Sequence, residues 1–347
     1  MPRFDARQLE ALLLQELIRH GAVAESGRHV AASTVQTSLR GIDSHGINLI
    51  PHYCRAVAAG RVNGAPAMTV ETMAPSVAIL DADHGFGHHA GAVAIENAIQ
   101  LANETGIGAV SVRNSTHFGA AAYFALMAAE RNCLGFAFTN ADALVKAFGA
   151  REAFCGTNPV CFTAPLLDEG PFCLDMATSL VSWNKINNYR RENMALPEGW
   201  AFDEDGIGVT DPHAARTLNP AGEYKGFGLG MMVDILCALL ASGPISREIP
   251  AMYAPPVDAS KRYLSHFFMA VDVARFVDPL VFRRRLQEMV DAVRKLSPLD
   301  PVQGVMAAGD PEKKTFAERS RLGIPVDEAK YEEFLSISPL FAEAVKQ

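Results

Sequence analysis

Residues 79–98 read ILDADHGFGHHAGAVAIENA, and the fold turns on how the middle of this stretch is read. An apolar run ends at Asp81, and Gly85, Gly87 and Gly91 then fall as G-x-G-x-x-x-G before a helix-like segment. Strand, glycine loop and helix is the order of a dinucleotide-binding unit, in which glycines let the backbone approach a pyrophosphate at a helix N-terminus. The spacing is one residue longer than G-x-G-x-x-G, and the next strand-like run, IGAVSVRN at 107–114, ends without an acidic residue for ribose hydroxyls. His84, His88 and His89 raise a metal site instead, since an i, i+4 histidine pair can share one helix face. Gly85 and Gly87, however, argue that no helix starts before about residue 89, and a structural site wants four closed ligands. A glycine turn entering a helix, with partly exposed histidines, is the reading these features favour.

Working outward, helical leucine spacing over residues 6–20 stops at Gly21, and a second helix is expected over 25–39. MTVETM and SVAILDA, split by Ala74-Pro75, predict a strand pair. Helix and strand then alternate through AGAVAIENAIQLANETG, IGAVSVRN, GAAAYFALMAAERN and LGFAFTN, followed by strand-like NPVCFTAP and PFCLDMA. Residues 193–224 look loop-rich and lead into the apolar helix FGLGMMVDILCALLASG. SHFFMAVDV reads as a strand, DPLVFRRRLQEMVDAVRKL as an amphipathic helix, and polar loops precede a last helix near 326–345. This is an α/β chain with no repeat and no obvious linker.

Bulk properties narrow the function classes. A net charge of −8 over 347 residues argues against nucleic acid as the main partner, because phosphate binding needs a cationic face. No apolar run reaches the 18 or so residues that span a bilayer, and the N-terminus lacks a secretory pattern, so a cytoplasmic protein is expected. The cysteines at 54, 133, 155, 161, 173 and 237 form no C-x-x-C pair and read as reduced, mostly buried thiols.

Chemistry is advertised at four places. In RNSTHFGAAAYF, His117 follows a strand end, where loops place functional side chains, and can exchange a proton near neutral pH. The plainer reading is an N-terminal cap at Ser115 or Thr116 with His117 on the surface. In RGIDSHGINLIPHY, Ser44 and His45 could bind a carboxylate or carbonyl oxygen, although sequence neighbours rarely point at one another. CGTNPVCFTAP and LDMATS set small polar groups against strand ends, a surface for phosphate or ribose. Lys225-Gly226 opens a helix whose glycines permit close approach to a ligand.

Taken in order, RGIDSHG, STHFGAAAYF, GTNP, DMATS, LPEGWAFDEDG, TDP, KGFGLGMMVDIL and SHFFMAVD resemble the malate/L-lactate dehydrogenase family of the second type, from about residue 5 to 345. That family includes ureidoglycolate, sulfolactate and piperideine-2-carboxylate enzymes, and residues 175–212 look most like its ureidoglycolate branch. The resemblance implies a mixed-sheet nicotinamide-binding fold of the family's own, not a Rossmann fold. It divides the chain into an N-terminal helical part (1–75), a cofactor and catalytic region (76–265) and a C-terminal part (266–347) returning to the first. It implies NAD, with NADP possible, and a homodimer with a shared site. Asn140, Ala141, Asp175, Met176, Ala177, Thr178, Lys185, Lys225, Gly226, Gly309, Asp310 and Pro311 would contact the cofactor. His117 would be the acid/base, with Ser44 and His45 on the substrate side, and no metal is implied.

One position departs from the pattern. The family turn reads S-H-G-x-x-R, and an arginine there suits a two-point grip on a carboxylate; here the position is Leu49. Lys146 could supply the charge from another direction or be solvated surface, and Arg40, His52 and Arg55 have weaker claims. The expected function is hydride transfer between nicotinamide and a small 2-oxo or 2-hydroxy acid. A ketimine reductase and a cofactor-binding relative without turnover are the alternatives.

Overall fold

The computed structural model describes residues 1–253, 259–302, 304–342 and 345. A short strand β1 (Arg3–Phe4) leads into helices α1 (Ala6–Arg19), α2 (Ala24–Leu39) and α3 (Ile50–Ala58). Asp5 starts α1 by accepting from the Arg7 and Gln8 amides at 2.9 and 3.1 Å, and Leu9, Leu13 and Leu17 form its buried stripe. Then come β2 (Thr69–Ala74), β3 (Val77–Asp81), α4 (Gly87–Thr105), β4 (Ile107–Ser115), α5 (Ala121–Ala129) and β5 (Cys133–Thr139). Short strands β6 (Val145–Lys146) and β7 (Ala153–Cys155) precede β8 (Val160–Ala164), β9 (Phe172–Met176) and α6 (Trp183–Glu192). After β10 (Ala201–Phe202), β11 (Gly208–Val209) and β12 (Thr217–Leu218), α7 (Glu223–Asp234) runs into a π-turn at Ile235–Leu239. The chain ends with β13 (Leu264–Asp272), α8 (Pro279–Arg294), α9 (Asp310–Leu322), β14 (Ile324–Pro325) and α10 (Glu328–Ile337).

Seven strands form the main sheet in the order β2-β3-β4-β13-β5-β8-β9, parallel only between β3 and β4. A five-stranded sheet runs β11-β10-β12-β6-β7, and β1 pairs with β14. One core joins Phe4 and the α1 leucines to Phe334 and Phe341 from the far end of the chain; another packs α4 and α5 alanines against Phe118, Phe124 and Phe268. The divisions expected at 75 and 265 do not separate sheets: β2 and all of β13 belong to the main one. Among the described residues, no helix is long and apolar enough to cross a membrane.

Three features differ from the sequence reading. The tract expected as loops between 193 and 224 carries β10, β11 and β12. Helices α6 and α9 were not expected, since α6 buries only Ile186 and α9 buries no residue, so neither shows an apolar period. Of the three histidines expected to be partly exposed, His84 is half-buried, while the two after the turn are not exposed. His88 is fully buried edge-on to the Tyr53 ring, centroids 4.9 Å apart, and His89 stacks on His29 at 4.8 Å.

The glycine turn serves packing, and α4 starts at Gly87 itself. A Cβ at Gly87 would stand 2.2 Å from the Thr116 carbonyl oxygen; one at Gly91 would stand 2.7 Å from the Phe124 ring, and one at Gly85 2.7 Å from Pro66. The close approach these glycines permit is to the protein's own backbone and side chains. Gly87→Ala should therefore cost roughly 1–3 kcal/mol of stability, as overpacked sites do. Urea denaturation would show it, and an unchanged midpoint would remove this account of the turn.

Candidate active site

Strand β4 ends at Ser115, and Thr116 fixes the turn after it by donating to the Gly85 carbonyl at 3.0 Å and accepting from the Gly87 amide at 3.1 Å. His117 is the next residue, and it faces a cavity of about 550 Å³. Its Nδ1 is hydrogen-bonded to the Tyr53 hydroxyl from α3 at 2.8 Å, and the Gly119 amide donates to the same atom at 3.4 Å. An amide can only donate, so Nδ1 of the resting neutral ring presents its lone pair.

The SHG turn brings the second wall. Gly46 lets the chain close on α2, since a Cβ there would be 2.2 Å from Ser38 Oγ. Ser44 Oγ and His45 Nδ1 lie 3.0 Å apart, so these two neighbours do engage one another, contrary to the usual geometry of adjacent side chains. The His45 and His117 rings are 5.8 Å apart and inclined by 27°. Asn184 of α6 donates to the Ser44 carbonyl at 3.1 Å, tying the turn to a helix that the sequence did not reveal.

A buried ion pair closes the cavity. Arg262, just before β13, pairs with Asp142, just after β5, and its Nε donates to the Pro250 carbonyl at 3.0 Å. Both residues line the cavity. Asp175, at the end of β9, accepts from the Ala122 amide at 2.9 Å at the start of α5, and burial pushes its carboxyl up to about 6. Burial also holds His117 well below the ordinary histidine value, helped by the nearby His45, His88, Arg262 and His52. The same cause lowers His45, and it lowers His52 to about 4 with help from Arg262, Arg55 and Arg61. The site at rest is therefore a set of neutral imidazoles beside one paired guanidinium.

Ser44, His45, Leu49, His117, Ala141, Asp175, Met176 and Ala177 meet around this one cavity. Gly309 and Pro311 line an adjoining hollow that shares Ile42 and Asp175 with it and includes Arg40. The other sequence-nominated residues are engaged elsewhere. Asn140 accepts from the Ser265 amide at 2.9 Å and donates to the Pro244 carbonyl at 2.9 Å, and Thr178 donates to Thr157 and Asn158 carbonyls. Lys185 lies over the Trp200 ring and Lys225 near the Tyr224 ring, while Gly226 packs on the Ala221 carbonyl. Asp310 pairs with Arg294. Lys146 sits 3.7 Å over the Phe202 ring and donates to the Gly206 carbonyl at 3.3 Å; it does not line the cavity. Tyr53, Asp142, Asn184 and Arg262 escaped the sequence reading. Only a chain-distant pairing joins them to the site, although Tyr53 lies within the quoted RGIDSHGINLIPHY stretch.

Comparison with known proteins gives the family. The model of the malate/L-lactate dehydrogenase family matches residues 4–335, and the chain belongs to that family. It is an oxidoreductase. The malate dehydrogenase of Pyrococcus abyssi is 35% identical over 334 residues, covering 93% of this chain and 91% of that protein. The NAD(+)-dependent ureidoglycolate dehydrogenase of Escherichia coli K12 is 32% identical, covering 87% and 85%. The crystal structure of Δ1-piperideine-2-carboxylate reductase from Pseudomonas syringae superposes with a TM-score of 0.88 at 28% identity, covering 97% and 100%.

The neutral histidines have a consequence for stability. Burial lowers His88 and His266 to about 3 each. An unfolded histidine binds its proton near pH 6.5, so below that value the unfolded state gains protons the native state does not, and stability is lost on acidification. Between pH 7.5 and 5.5 each of the two should cost roughly 1 kcal/mol. Urea melts across that range test this, and a flat profile would contradict it.

Proposed function

We propose that the protein is a nicotinamide-dependent oxidoreductase that interconverts a small 2-oxo acid and its 2-hydroxy acid, with His117 moving the proton. The observation that carries this reading is His45 and His117, the latter backed by Tyr53, opening on one cavity. Nicotinamide, when bound, supplies or takes the hydride, so the protein must orient the substrate and handle one proton. His117 in its cationic form gives its Nε2 proton to the carbonyl oxygen in reduction, which leaves the Nδ1–H ring, and in oxidation that tautomer, bare at Nε2, takes the proton back. The Tyr53 hydroxyl can donate to a bare Nδ1 or accept from a protonated one, so it holds the ring through both states. Burial, with Arg262 nearby, keeps His117 neutral at rest, and an anionic substrate that offsets the guanidinium favours the acid form once it has arrived. Ser44 and His45 hydrogen-bond the substrate's oxygen atoms and fix the reacting carbon.

The residues present fit the cofactor. Ala120, Ala141, Ala177 and Pro159 give the cavity small apolar walls that a flat ring can lie against. The adjoining hollow offers Arg40 and the N-terminus of α9 at Gly309–Pro311 for a phosphate, with Asp175 and Glu312 as the carboxylates on its described lining. We read this mixed sheet, not a Rossmann unit, as the cofactor platform, because Gly85, Gly87 and Gly91 all face protein. NAD is favoured by likeness to the ureidoglycolate enzyme, and NADP is the alternative. Six free cysteines fit a cytoplasmic setting. Likeness to the piperideine-2-carboxylate enzyme keeps reduction of a ketimine carboxylate as the second reading.

A homodimer is part of the proposal. Leu229, Met231, Ile235, Leu239 and Leu240 are 41–58% exposed on α7 and its π-turn, an apolar surface that a second copy would cover. Sedimentation velocity should show a dimer that Ile235→Glu with Leu239→Glu converts to monomer; a wild-type monomer would exclude it.

The activity test follows the reduced nicotinamide absorbance over a panel of 2-oxo acids and cyclic imines with each cofactor. His117→Ala should lower turnover about 10²- to 10⁴-fold, the usual contribution of general acid–base catalysis, while NADH affinity stays within a few-fold. Near-normal turnover in that variant would remove His117 from its role.

A further inference from the structure

Leu49 is buried, lines the cavity and cannot hold a carboxylate. The question is where the acid group of the substrate goes. We infer that Arg262, held by Asp142, receives the anionic group of the substrate and leaves an apolar wall at Leu49 for its side chain. This rests on the 2-oxo acid reading above and extends it to a specificity-determining residue.

The cations near the site can be sorted by what already engages them. Lys146 is committed to the Phe202 ring and the Gly206 carbonyl, and Arg55 pairs with Glu333 at the surface. Arg40 lies over Phe316 in the adjoining hollow. Arg61 is buried, but it donates to three backbone carbonyls, those of Ser260, Met252 and Ala251 at 3.2, 3.0 and 2.9 Å, and it does not line the cavity. Arg61 is thus the staple that holds the segment flanking Arg262.

Arg262 differs on each count. It is 4% exposed, lines the cavity and uses Nε on Pro250 and Nη2 on Asp142, while Nη1 has no hydrogen-bond partner among the described residues. Taking a guanidinium out of water is costly unless its donors are used, so a donor edge left open on a cavity wall is a binding feature. Asp142 is fixed against Nη2 of the guanidinium: one oxygen is held by Arg262 and the other accepts from the Met252 amide at 3.4 Å, so the open donor edge is Nη1. Arg262, His117 and Leu49 line the same cavity, which sets the guanidinium, the proton-transfer group and the apolar wall around one bound substrate. The substrate class that fits is a 2-oxo acid with its carboxylate on Arg262 and an apolar substituent against Leu49.

The test titrates oxamate, an unreactive 2-oxo acid isostere, into the enzyme–NADH complex. The variant is Arg262→Gln with Asp142→Asn, since removing both partners avoids stranding a buried charge. Oxamate affinity should fall about 10- to 10²-fold, the loss expected for a charge-assisted grip, with NADH affinity unchanged. Adding Leu49→Arg should recover at least tenfold, because the new cation faces the same cavity. Oxamate affinity within threefold of wild type, or a loss that Leu49→Arg does not recover, would overturn the inference. If the double variant does not melt cooperatively, Arg262→Lys is read instead: it keeps a charge beside Asp142, the same tenfold loss is expected, and unchanged affinity overturns it. Wild type that neither binds oxamate nor reduces any 2-oxo acid would instead sink the substrate class itself.

Discussion

His266 is the clasp on which the active site hangs. It sits fully buried in the middle of the main sheet, with Nδ1 2.7 Å from Thr139 Oγ1 and Nε2 2.8 Å from Ser115 Oγ. A neutral imidazole offers one donor and one acceptor, so a single ring fastens β13 to both neighbouring strands at once. Phe118 stacks on it at 4.8 Å, which keeps water away and the ring uncharged. The site loops leave this same end of the sheet: β4 runs out to His117, β5 runs out to Ala141 and Asp142, and β13 enters from Arg262. The register shift between Leu264 and His266 also falls here, where Asn140 receives the displaced Ser265 amide.

The fold positions its reactive groups without charging them. Burial keeps His45, His52, His88, His117 and His266 uncharged, and among the described residues the one full cation on the cavity wall is tied to a carboxylate. Such a site has little field at long range but strong local donors, which suits a small anion that must be gripped and then released.

What the sequence made legible follows from local pattern. The strand pair at 69–81, the helices at 24–39 and 87–105 and the strands at 107–115 and 264–272 all carry period or turn signals, and they stand where expected. Ser44, His45 and His117, singled out by the turns that carry them, line one cavity. The turn's glycines alone could not separate the alternatives, because a glycine's close approach to a phosphate and to a carbonyl leave the same letters in the sequence. Helix α9 was invisible because no face of it is buried. Arg262 and Asp142 could not be paired from sequence, since they lie 120 positions apart and meet only after β13 inserts beside β5.

That insertion governs how the molecule comes into being. β13 separates β4 from β5, yet His266 follows Ser115 by 151 residues and Thr139 by 127. While the chain is being made, β4 and β5 must wait with open edges, a state prone to pairing with other chains. The closing step joins segments far apart along the backbone, which makes assembly slow for a chain of this size. No partial chain ending before residue 264 can own the centre of the sheet, so catalytic competence waits for β13.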